Sequence, residues 1–66
     1  MNNMSNYYSR PLEARITYEN GFKKVLRVEY GFKPKEKMKM VLLFKNSNCL
    51  CTYYKNEDGS FRKENH

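Results

Sequence analysis

A chain of 66 residues carrying a formal charge of +6 has room for one small domain, which at this size buries only about 60% of the surface its unfolded form exposes. Its 39% hydrophobic content leans on Tyr and Met, so the core is thin and self-association into a homodimer or docking on a larger body is favoured. No apolar run is long enough for a membrane span and the first ten residues lack the apolar centre of a secretory signal, so a cytoplasmic protein is expected, in the host cytoplasm if it is phage-encoded.

Residues 1–10 show no period and end before Pro11, which predicts a mobile tail that Tyr7 and Tyr8 would dock. A single β domain is expected over 11–63, followed by a second mobile tail at 64–66. From Leu12 the apolar residues alternate: Leu12, Ala14, Ile16 and Tyr18 share one side. After Asn20-Gly21 a second run places Phe22, Lys24, Leu26, Val28, Tyr30 and Phe32 on one side. Asn-Gly between two alternating runs signals a hairpin. A two-residue loop would set the apolar side of one strand beside Lys23, Val25 and Arg27. A three-residue loop, Glu19-Asn20-Gly21, instead pairs Tyr18 with Phe22, Ala14 with Leu26 and Leu12 with Val28. Only the second gathers both apolar sets, because a slip of one residue turns a whole face outward. The expectation is a type I turn with Gly21 in the left-handed position.

Gly31 and Pro34 interrupt the pattern before its most strongly marked stretch, FKPKEKMKMVLLF, residues 32–44. As a strand with pairing from about Glu36, it would line up Lys33, Lys35, Lys37 and Lys39 on one face and Met38, Met40, Leu42 and Phe44 on the other. The rival is a short helix at 35–45, since Met, Lys, Leu and Glu are good helix formers. Against that helix, Lys35 and Lys37 would sit at the positive end of its dipole, and the apolar residues would surround it. Asn46-Ser47-Asn48 and Asn56-Glu57-Asp58-Gly59 read as turns, with a β-prone run, CLCTYYK, between them and a short strand at 60–62 after them. The fold class is all-β, a four- to five-stranded antiparallel meander forming a small barrel or a curved sheet.

Two cysteines are too few for a disulfide framework or a self-contained four-ligand zinc site. Cys49 and Cys51 would share a strand face, but a bridge between them closes too tight a loop for relaxed geometry. They read as reduced, half-buried residues with no metal. Catalysis is equally ill provided for. His66 is the one histidine and the last residue, and no nucleophile–base, paired-carboxylate or phosphate-loop spacing is present. A metal-free ribonuclease built on Lys, Arg and Tyr would need a longer chain for its cleft, so neither an enzyme nor a cofactor is expected.

The charge is concentrated. Between Lys23 and Lys45 lie eight basic residues and two acidic ones, while the rest of the chain holds five of each, so the whole excess belongs to the middle. Such a field favours an anionic partner: nucleic acid, a nucleoprotein complex or an acidic protein surface. Strand residues two apart are separated by about 6.6 Å, a spacing at which four lysines would follow phosphates along a groove. Lys23, Arg27 and Lys45 extend the charge, and Tyr30 and Tyr54, with Phe32 and Tyr53, offer stacking faces. The plain alternative is that lysines on an exposed strand block edge-to-edge aggregation and the aromatics are packing. The function expected is that of a small basic binding protein of phage or mobile-element type. Its rival is an inhibitor of the same origin that docks on a host or defence enzyme, in the manner of anti-CRISPR or polymerase-blocking proteins.

Overall fold

The computed structural model describes residues 9–66, so the first eight residues of the expected N-terminal tail, Tyr7 and Tyr8 among them, lie outside the described range. Five strands form: β1 Leu12–Tyr18, β2 Lys23–Val28, β3 Met38–Lys45, β4 Asn48–Lys55 and β5 Phe61–Asn65. The first hairpin has the expected register, with Leu12 opposite Val28 and Ala14 opposite Leu26. Its loop is Glu19-Asn20-Gly21: Tyr18 N–H donates to Phe22 O at 2.8 Å, Gly21 N–H to Tyr18 O at 2.9 Å, and Gly21 has φ +90°. The turn between β4 and β5 repeats this design, with Asn56 and Ser60 in the flanking positions and Gly59 at φ +94°. Between β3 and β4 the loop is two residues, Asn46 and Ser47, both at positive φ, as the turn that suits a twisted hairpin requires.

The strands pair as one open antiparallel sheet in the order β2-β1-β3-β4-β5. Neither the barrel nor the meander forms, because β3 pairs with β1 and not with β2. Strands β2 and β3 both run antiparallel to β1, hence parallel to each other, and parallel strands need a crossover. Residues 29–37 supply it without a helix. Two tight turns, closed by Phe32 N–H to Glu29 O at 3.1 Å and Met38 N–H to Lys35 O at 2.9 Å, fold the segment back, and Phe32 packs on the core. The crossover leaves β2 and β5 as the two edges, and charged, exposed positions on both blunt them against further pairing. The 35–45 helix is absent: Pro34 and the Lys35 turn occupy its first positions, and β3 begins at Met38.

The core lies on one side of the sheet and consists of Leu12, Ala14, Ile16, Val28, Met38, Val41, Leu43 and Cys51. This overturns the expected faces of β3. Val41 and Leu43 are buried, whereas Met40, Leu42 and Phe44 stay half-buried on the other side, opposite Thr17, Arg15 and Glu13. Met38 nevertheless reaches the core. The pairing steps from Thr17–Met40 to Tyr18–Met38, so Lys39 is an extra residue, a bulge that reverses the alternation. A second bulge, at Leu50, lies between the pairs Leu43–Cys51 and Phe44–Cys49. The C-terminus is no tail. Glu64 and Asn65 belong to β5, and His66 N–H donates to Leu50 O at 2.9 Å while its Nε2 meets the buried Thr52 Oγ1 at 2.8 Å.

Candidate functional site

The crossover segment carries three of the expected lysines. Lys33, Lys35 and Lys37 are exposed, Lys33 between the two turns and the other two on the second turn, none of them on a strand, so the evenly spaced row along one strand does not exist. Lys39, the bulge residue, is the one member of the row in β3 and is exposed too. Crossing the core side of the sheet, the segment makes the far wall of two concavities that follow one another along β2. One, of about 470 Å³, is lined by Leu26 and Val28 on the strand side, by Phe32, Lys33 and Lys35 on the crossover side, and by Arg10 and Arg27. The next, of about 540 Å³, lies at the hairpin end between Phe22 and Lys24 on one side and Lys37 on the other. From residue 28 to residue 22 the furrow runs about 20 Å at the rise of an extended chain.

Its charge is lopsided. Six cations line it: Arg10, Lys24, Arg27, Lys33, Lys35 and Lys37. Two carboxylates accompany them, Glu19 and Glu29. Glu19 is neutralised by Lys55, whose Nζ lies 2.6 Å from its Oε2 and also donates to the Glu36 carbonyl. That ammonium ties the hairpin loop, the crossover and the end of β4 together, and its stem is mostly shielded from water. Arg27 has a structural duty: its Nε and Nη2 donate to the carbonyls of Arg10 and Pro11 at 3.0 and 3.2 Å. Among the described residues, no carboxylate forms an ion pair with Lys24, Lys33, Lys35, Lys37 or Lys39.

The other expected residues scatter. Lys45 turns inward on the chain and donates to the Tyr30 hydroxyl at 2.5 Å, its ammonium 5.0 Å from the ring centre, so Tyr30, though 62% exposed, is already partnered. Lys23, opposite Thr17, and Tyr54, opposite Met40, belong to the opposite side of the sheet. There Arg62 stacks over Tyr54 at 4.7 Å and Arg15 over Phe44 at 4.0 Å. Phe32 and Tyr53 pack against the core, so for these two the packing alternative holds. Both thiols are free. Cys49 Sγ–H donates to the Cys51 carbonyl at 3.7 Å, and burial pushes the Cys51 thiol up, partly countered by Lys63. Among the described residues, no three His, Cys, Asp or Glu side chains converge on a metal-sized site.

Arg10, Phe22, Lys24 and the buttressing Tyr18 are among the furrow residues that were not singled out as site residues from sequence. A signal existed for Lys24, a charge on an otherwise apolar strand face, and for Phe22, which the three-residue loop sets against Tyr18 at the sheet's end. Comparisons with protein-family models, with characterised proteins and with solved structures returned no match.

Proposed function

We propose that this chain is a non-enzymatic binding protein whose furrow between β2 and the crossover holds the phosphate backbone of nucleic acid, alone or within a nucleoprotein complex. The observation that carries this is the charge of the furrow: six lining cations against two carboxylates, one of them neutralised from outside by Lys55. Edge protection does not account for it, since Lys33, Lys35 and Lys37 sit on a crossover and not on an edge strand. Low-dielectric walls such as Phe32 and Leu26 concentrate the field on an entering anion. The test is fluorescence anisotropy of an unstructured single-stranded oligonucleotide across a salt series. With Lys24, Lys33, Lys35 and Lys37 each neutralising one phosphate, log K falls against log[salt] with a slope of about −3, a loss of roughly fiftyfold between 50 and 200 mM. Absent or salt-independent binding overturns the proposal.

A second reading draws on the opposite side of the sheet. Met40, Leu42 and Phe44 are half-buried there, Val25 is 61% exposed, and such a patch suits docking on a protein. Under this reading the chain is an inhibitor of a host or defence enzyme. Oligonucleotide binding is then absent, and inhibition is lost on Leu42→Asp.

A further inference from the structure

We infer that the cleft at the hairpin end of the furrow is a nucleobase subsite, in which one unpaired base of a single strand stacks on Phe22 while its flanking phosphates meet Lys24 and Lys37. This deepens the reading above and rests on it. Phe22 is 61% exposed, although it flanks a turn closed by three hydrogen bonds. Its carbonyl accepts from Tyr18 N–H at 2.8 Å, its own N–H donates to Asn20 Oδ1 at 2.9 Å, and Gly21 N–H closes the loop on Tyr18 O at 2.9 Å. The backbone that carries the ring is therefore held, with the Tyr18 ring 6.2 Å away and tilted by 41° to the Phe22 ring. A loop backbone fixed before binding avoids the cost of ordering that loop.

The chemistry around the ring selects the ligand. Lys24 comes from β2 and Lys37 from the crossover, and Glu19 N–H donates to the Lys37 carbonyl at 2.9 Å, which ties the hairpin loop to the crossover. Both cations are without a carboxylate partner among the described residues. The one carboxylate lining the cleft, Glu19, is held by Lys55 at 2.6 Å, so its repulsion of a phosphate is offset. A protein's apolar anchor would use the ring but would not call for two flanking ammonium groups. A flat π-surface bearing negative charge uses both, and every base has such a surface. The cleft's volume of about 540 Å³ falls within the range of small-ligand pockets.

The experiment follows binding of a labelled homopyrimidine single strand, a duplex of equal length and free thymidine monophosphate to the wild type, Phe22→Ala and Phe22→Tyr. Phe22→Ala is expected to weaken the single strand by about 5- to 150-fold, the loss of one stacked base. The salt slope and the duplex affinity stay unchanged, and Phe22→Tyr, which keeps the ring, restores binding. If Phe22→Ala leaves single-strand affinity intact while the salt slope persists, the subsite is refuted and the furrow reading stands. If the wild type shows no salt-dependent binding at all, both fall. Free monophosphate binding as tightly as the strand would overturn the strand as ligand.

Discussion

Three glycines separate conformational from steric effects at the residue scale. A Cβ placed on Gly21, Gly31 or Gly59 would meet no atom within 4 Å, but only Gly21 and Gly59 have positive φ. Gly21→Ala and Gly59→Ala are thus expected to cost about 1 kcal/mol or more each through backbone strain alone. Gly31→Ala should be neutral or stabilise by up to about 1 kcal/mol by restricting the unfolded chain. Chemical denaturation of the three variants checks this, and equal effects would refute it. The cysteines differ in the same local way. Burial raises the Cys51 thiol above its ordinary range, so its protonated form is favoured in the fold. Its contribution to stability is present below that range and is lost as pH rises through the raised value. Alkylation near neutral pH should therefore modify Cys49 well before Cys51, and simultaneous modification without unfolding would contradict the placement.

For the elements, the informative case is β3. Ile16 and Val41 face each other in the β1–β3 pairing and are fully buried, whereas Leu42 sits one residue along on the half-exposed side. Ile16→Ala is expected to cost about 2–5 kcal/mol, enough to unfold much of so small a protein. Leu42→Ala should cost clearly less. The lysine alternation alone would instead place Leu42 in the core beside Ile16 and make the two costs comparable. The first hairpin was legible because loop length, turn residues and apolar register all agreed on one answer. In β3 every position from 38 to 44 except Lys39 is apolar, so period two had no polar partner set to choose between the sides. The residues nearest the start gave the wrong one, because the bulge at Lys39 shifts Met38 to the side of Val41 and Leu43. A bulge leaves no mark on composition. The crossover was hidden for a related reason: Gly31 and Pro34 signal a break, but not on which side of β1 the chain resumes.

Across the whole molecule, the charge excess sorts by side in a way the linear sequence only half disclosed. The central segment was recognisable as basic, yet the furrow needs Arg10 from before β1 and Lys24 from β2, brought together only by the crossover. Lys23 points to the opposite side, with Arg15 and Arg62. That separation permits a test in which net charge is held equal. Lys35→Glu with Lys37→Glu, and Lys23→Glu with Arg62→Glu, both lower the formal charge from +6 to +2, since each reversal removes two units. If binding were a response to overall charge, the two pairs would weaken an oligonucleotide equally. If phosphates lie along the crossover side, the first pair removes about half of the slope, from about −3 to about −1.5, and weakens all sequences alike. The second pair acts mainly through the screened field, which fades over a Debye length of about 10 Å at 0.1 M salt, and leaves the slope nearly intact. All four side chains are exposed, so the fold should persist in both variants, as circular dichroism would verify. Equal loss in the two pairs would show that no particular surface binds. An unchanged slope in the first pair would remove the crossover lysines from the site and favour the apolar side as the working face.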